Sequence, residues 1–157
     1  MLSDLIATIW KSMPKTWRRL SMRFSNARFT VTSGAVVVDQ EGRVLLLKHR
    51  FRPGSGWGIP GGFITAGEQP EEAVKRELRE EVGLELKSIR VCSVRTLSKT
   101  RQVEILFLCR PQGDARPRSA EVTRADWFSI DGLPKELSPD QESLLRSALT
   151  DGAKLLD

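Results

Sequence analysis

Between Gly62 and Leu84 the chain places Glu68, Glu77, Glu80 and Glu81 beside Arg76, with Gly83 near the end of the segment. At about 100° per residue on an α-helix, Glu80 falls roughly 60° to one side of Glu77 and Glu81 roughly 40° to the other, so the three carboxylates share one stripe. Like charges at this spacing repel, raise one another's pKa values and destabilise a helix by about 0.2–0.5 kcal/mol per pair. A divalent cation removes that cost. Oxygen-only ligands favour Mg²⁺, Mn²⁺ or Ca²⁺ over zinc, and a chain with one His and two distant Cys offers zinc little. Mg²⁺ usually shares its shell with waters and substrate phosphates, which makes a phosphate compound the natural partner. A plain solvated helix also fits, because Arg76 with Glu80 has the spacing of an ordinary surface ion pair.

The flanking residues supply what such a helix needs. Pro70 suits its first turn, with Gln69 as a modest cap and Glu71 and Glu72 complementing the positive end of the dipole. Val74, Leu78 and Val82 form an apolar stripe, so the helix packs on one side and offers the other to a metal. Gly83 is placed as the residue that ends it. Upstream, Pro60-Gly61-Gly62 and Gly67 give tight turns with close backbone approach.

This segment resembles the signature of the Nudix hydrolases, Gly-x5-Glu-x7-Arg-Glu-U-x-Glu-Glu-x-Gly-U with U a bulky aliphatic. Gly62, Glu68, Arg76, Glu77, Leu78, Glu80, Glu81, Gly83 and Leu84 fill its fixed places. Gly56 to Gly61 is similar to the family's strand and turn entering the box, Gly34 to Lys48 to its opening hairpin, and Trp127 to Pro134 to its closing strand and turn. The resemblance thus covers roughly residues 29 to 150.

Hydrophobic patterning gives the remaining elements. Phe29–Val38 and Val44–Lys48 read as strands joined by a polar hairpin turn at 39–43. Leu86–Leu97 and Val103–Cys109 read as a second pair turning at 98–102, and Val122–Phe128 as a further strand. A helix opens at Ser138 or Pro139 and runs to about Thr150, with Leu144, Leu145, Ala148 and Leu149 on its apolar side. Strands with helices on both faces predict the α/β/α sandwich with a mixed β-sheet that the resemblance also implies. Residues 29–157 are expected to form this domain, and residues 1–28 a basic amphipathic helical segment. Pro111 to Ala120, a polar loop with two prolines, is expected to be mobile.

A chain of 157 residues, 39% hydrophobic and 29% charged, fits one compact domain. It contains no apolar run long enough to span a membrane. Cys92 and Cys109 read as buried strand residues of a reducing cytoplasm, not as a disulfide or metal pair. The first 28 residues hold six Lys or Arg against Asp4, a balance of +5 that equals the formal net charge of the whole chain. The body is therefore neutral, and no strong nucleic-acid groove is indicated. Leu2, Leu5, Ile6, Ile9, Trp10 and Met13 add an apolar stripe to that basic segment. A membrane-surface helix would carry it, and so would a helix docked on its own domain or on a homodimer partner; docking is the expectation. A secretory signal is not expected, since Asp4 precedes the apolar stretch and no small-residue cleavage site follows.

The resemblance implies the chemistry. The substrate is expected to be a nucleoside diphosphate linked to another group, such as ADP-ribose, a nucleotide sugar or a dinucleotide, cleaved to a nucleoside monophosphate and a phosphorylated product. The Gly61 carbonyl, Glu77, Glu80 and Glu81 are implied to hold Mg²⁺ or Mn²⁺. Glu121, a few residues before Trp127, is implied as a fourth carboxylate that completes the metal site or acts as base, with a surface charge as the plainer reading. Glu77 or Glu121 would take the proton of the attacking water. Arg76 is expected to orient Glu77 and Glu68. Gly62, Glu68 and Gly83 are structural in this reading. Arg50, Arg52, Trp57 and Phe63 are candidates for substrate contact, by phosphate pairing and base stacking, while His49 reads as structural. Subfamily markers are missing: Thr100 stands where ADP-ribose pyrophosphatases often carry a proline, and the chain has no tyrosine, the marker of diadenosine polyphosphate hydrolases. A (deoxy)nucleoside triphosphate or capped-RNA hydrolase, and a non-catalytic nucleotide-sensing module, are the alternatives.

Overall fold

The computed structural model describes residues 2–17 and 27–152. Its elements are α1 (Leu2–Ser12), β1 (Thr30–Val37), β2 (Val44–His49), β3 (Trp57–Gly58), β4 (Gly61–Phe63), α2 (Pro70–Val82), β5 (Glu85–Leu97), β6 (Gln102–Gln112), β7 (Val122–Phe128) and α3 (Pro139–Gly152). A four-stranded sheet runs β4-β1-β6-β5, and a three-stranded sheet runs β3-β2-β7. The first is mixed, because β1 lies parallel to β6 while β4 and β5 pair antiparallel on either side.

The α/β/α layering follows from the period of two along buried strands. Ala35, Val37, Leu45, Leu47, Phe107 and Cys109 face α2 through Val74, Leu78 and Val82. Their sequence neighbours Val36, Val38, Val44, Leu46, Leu106 and Leu108 face α3 through Leu144, Leu145 and Ala148. Each central strand is thus apolar on both faces, which is why it reads as a continuous run and not as an alternation.

Three expectations need correction. The 39–43 turn closes only a short hairpin, because β1 and β2 meet at one bridge, Val38 to Val44, and then enter different sheets. The Asp39 carboxylate organises that turn, accepting from the backbone N–H of Glu41 at 3.0 Å and of Arg43 at 2.8 Å. Gln69 gives α2 no side-chain cap; its carbonyl accepts the Glu72 and Ala73 N–H groups instead. Leu5, Ile6, Ile9 and Trp10 of α1 are exposed and so are not docked on the chain's own domain. Arg18, Arg19 and Arg23 of the basic segment lie outside the described residues.

Candidate active site

The helix α2 ends where its carboxylates are concentrated. Gly83 adopts φ 66°, and its N–H bonds back to the Arg79 carbonyl at 3.0 Å, while Leu84 N–H reaches the Leu78 carbonyl at 3.1 Å. The free carbonyls of the last turn are taken by the loop before β7. Arg118 N–H donates to Glu81 O and Arg116 N–H to Val82 O, both at 2.9 Å. The loop expected to be mobile is therefore pinned to α2 at two backbone points, and the Arg118 side chain lies over Gly83. Glu121 follows directly, with its carbonyl accepting Arg50 N–H at 2.8 Å. This contact joins the end of β2 to the start of β7.

Arg76 sits at the centre of the acidic face. Its guanidinium reaches Glu68 through Nε at 2.9 Å and Nη2 at 3.1 Å, Glu77 through Nη1 at 2.8 Å, Glu80 through Nη1 at 3.4 Å, and the Phe63 carbonyl at 3.1 Å. Glu68 in turn accepts from Thr65 N–H and hydroxyl at 3.0 and 2.9 Å. Hydrogen bonding to Arg76 first, then to Thr65, holds the Glu68 carboxyl down at about 2. One cation therefore ties the 63–68 turn to two carboxylates of the helix. Gly62 leaves room for this, because a side chain there would collide with the Glu77 carboxylate.

Glu81 differs from its neighbour Glu80, which is exposed. Glu81 retains 8% exposure, and its Oε2 is buried without a hydrogen-bond partner. Burial, then the charge of Glu77, pushes its carboxyl up to about 8, with a smaller push from Glu121; Arg52 and a hydrogen bond from Gly61 N–H pull the other way. His49 Nε2 stands 3.5 Å from Glu81 Oε1. The imidazole is held at about 4, by burial first and by the Arg52 charge second, so at neutral pH it brings no positive charge to Glu81. The residues around Glu81 fit a divalent cation: an orphaned buried carboxylate oxygen, two further acidic groups whose charges it feels, and the Gly61 backbone beside it. Among the described residues, however, no three of the His, Cys, Asp and Glu side chains are already gathered closely enough to hold an ion.

The substrate candidates differ in exposure. Phe63 and Arg50 are exposed. Arg52 lies over Gly58, donates to the Ile59 carbonyl at 3.4 Å and leaves Nη1 buried without a partner. Trp57 is only 8% exposed, packs edge-on to Phe128 at 5.3 Å between ring centroids, and is covered by Lys48 and Arg124. Its ring belongs to the core cluster. Sequence reasoning missed the His49–Glu81 contact. The only pointer to it was the position of His49 at the end of β2, beside Arg50. It also missed Gln141, whose Oε1 accepts Ile59 N–H at 3.1 Å and ties α3 to the glycine turn.

The α/β/α sandwich and its carboxylate-bearing helix are those of one particular class of hydrolase. The NUDIX domain family model matches residues 28–148, and the chain belongs to the Nudix hydrolase family, whose members act on pyrophosphate bonds. Among curated relatives it is 31% identical over 125 residues to a MutT-like protein of Streptomyces ambofaciens, covering 79% of each chain. It is 30% identical to an ADP-ribose pyrophosphatase of Methanocaldococcus jannaschii, over 70% of this chain and 68% of the relative. An NAD-capped RNA hydrolase NudC of Chromobacterium violaceum is 35% identical over 66% of this chain, but the chain spans only 40% of that relative's length. A crystal structure of a MutT NUDIX hydrolase from Burkholderia pseudomallei superimposes with a TM-score of 0.67 at 30% identity, covering 80% of this chain and 98% of that one.

Proposed function

We propose that the protein is a Mg²⁺- or Mn²⁺-dependent pyrophosphohydrolase that cleaves a nucleoside diphosphate linked to another group into a nucleoside monophosphate and a phosphorylated product. The observation that carries this reading is the buried Glu81 carboxylate with its unpartnered Oε2, raised to about 8 beside Glu77 and Glu121. Such a group is costly in a folded protein unless a cation completes it. Glu77, Glu80, Glu81, Glu121 and the Gly61 carbonyl would hold the ion. When bound, it neutralises the diphosphate and lowers the pKa of an attacking water. Glu77 or Glu121 accepts the proton of that water. Arg76 positions Glu77 by its 2.8 Å contact while anchored on Glu68. Arg50 and Arg52, which follow β2 in the chain, would pair with the diphosphate, Arg52 being near enough for its charge to act on Glu81, and the exposed Phe63 ring lies at the turn that opens the box. Neither Cys92 nor Cys109 takes part in a disulfide among the described residues, which supports a reducing, cytoplasmic setting.

The likeness to NudC proteins supports a second reading, in which the diphosphate is the NAD cap of an RNA. Product identity separates the two. ADP-ribose, nucleotide sugars, dinucleotides, triphosphates and NAD-capped RNA are each incubated with Mg²⁺ or Mn²⁺, and the released compounds are measured. Nucleoside monophosphate from a free small molecule supports the first reading, and turnover confined to capped RNA supports the second. Pyrophosphate released from triphosphates would replace both, and no cleavage in either metal would leave a nucleotide-sensing module.

A further inference from the structure

The strongest feature outside the site is α1. At about 100° per residue, Leu5, Ile6, Ile9 and Trp10 fall within an arc of roughly 140°, with Asp4, Thr8, Lys11 and Ser12 on the other side. These four apolar side chains are 58, 60, 52 and 40% exposed, and Trp17 just beyond is also exposed. A helix with an open apolar face needs an occupant.

We propose that α1 lies in the plane of an anionic lipid surface and tethers the hydrolase domain to it. Charge selects this occupant. Residues 1–28 carry +5 while the rest of the chain is formally neutral, since six of the 25 Lys and Arg but one of the 20 Asp and Glu fall in that segment. Packing α1 against the α1 of a second copy would bring two such basic segments together. The few side chains of one short helix also offer far less than the roughly 800 Å² per partner of a stable protein interface. Nucleic acid would satisfy the charge but has no apolar layer for Leu5, Ile6 and Ile9. A lipid surface satisfies both, with the apolar side in the acyl boundary, Trp10 at the headgroup level and Lys11 and Lys15 toward the phosphates. Eleven residues span only about 16 Å, half the hydrocarbon thickness, so the helix lies on the membrane and does not cross it. An apolar helix joined to a basic cluster also provides the two signals that reversible anchoring requires.

The test is co-sedimentation of the full chain with vesicles of phosphatidylcholine, with and without phosphatidylglycerol, read beside hydrolysis of a soluble substrate. Binding is expected only to the anionic vesicles, with release at high salt and a blue shift of tryptophan emission. Neutralising Lys11→Gln or Lys15→Gln is expected to lower partitioning by about fivefold each. Ile9→Asp is expected to abolish partitioning with the hydrolysis rate unchanged. Failure to sediment with anionic vesicles overturns the proposal, as does binding that Ile9→Asp leaves intact. A dimeric mass that Ile9→Asp converts to monomer, without vesicle binding, would assign α1 to a second copy instead. Because hydrolysis is read separately, loss of the tether and failure of the enzymatic assignment are distinguishable.

Discussion

Helices α1 and α2 are both one-sided, yet only one has its apolar side covered. Val74, Leu78 and Val82 of α2 are buried against β1, β2 and β6, whereas Leu5, Ile6, Ile9 and Trp10 of α1 stand open. Full burial of such a side chain contributes about 1.5–3 kcal/mol relative to leaving it exposed. The anchored helix can therefore carry what a free helix cannot: a strip of like charges and one buried carboxylate. The unanchored one carries no comparable burden: its own Asp4 and Lys11 balance, and the basic excess of residues 1–28 follows it in the sequence. Periodicity reveals that a helix has an apolar face; it does not reveal what lies against that face.

The sharpest way to probe the burdened side is Glu81→Gln. It removes the ionisable carboxyl and keeps the shape, so the circular dichroism spectrum should be unchanged and the thermal midpoint should not fall. Metal-dependent turnover should drop by about 10²- to 10³-fold. Undiminished turnover would remove Glu81 from the site. On the covered side, Leu78→Ala should cost about 2–5 kcal/mol in denaturant unfolding, because the side chain is fully buried between helix and sheet. A loss below about 1 kcal/mol would mean that α2 is not the anchored helix.

Arg76→Lys tests the joint between the turn and the helix. Lysine keeps the charge but cannot span Glu68, Glu77 and the Phe63 carbonyl at once. The expected result is a drop in turnover of about 10- to 100-fold with folding retained. An unchanged rate would show that the carboxylates need no such brace.

Most of the fold was legible from spacing alone. The limits of β7, the β5–β6 pair and the helix bearing the carboxylates follow from apolar period, prolines and glycines in adjacent positions, all of which are local properties. What was not legible depends on residues distant in the chain. The split of β1 and β2 between sheets is decided by which partners, β6 or β7, satisfy each backbone. Neighbours in sequence do not reveal that Phe128, Lys48 and Arg124 lie against Trp57. Within the candidate site, the stripe of Glu77, Glu80 and Glu81 was visible as arithmetic. The difference between an exposed Glu80 and a buried Glu81 required knowing that β2 brings His49 alongside.

That difference predicts a pH dependence for the metal-free protein. Glu81 is raised from an ordinary 4.5 to about 8, so its contribution to stability is full below the ordinary value and is lost as pH rises through about 8. His49 is lowered from 6.5 to about 4, so its contribution is present above 6.5 and is lost as pH falls through about 4. Thermal midpoints should therefore decline toward both ends. Mg²⁺ should restore the alkaline side, and Glu81→Gln should flatten that limb alone. An alkaline limb that survives in Glu81→Gln would assign it to other groups.

The smallest expected effect completes the contrast between the helices. Ile9→Ala removes as much hydrocarbon as Leu78→Ala, but from a side chain already more than half exposed, so little is lost from the folded state. Alanine is also the better helix former, which offsets part of any loss. The unfolding free energy should change by no more than about 0.5 kcal/mol, measured by the same denaturant titration as Leu78→Ala. A cost of about 2 kcal/mol or more would be a core value. It would mean that α1 is covered in solution by this chain or a second copy, and the two helices would cease to differ in the way their burial indicates.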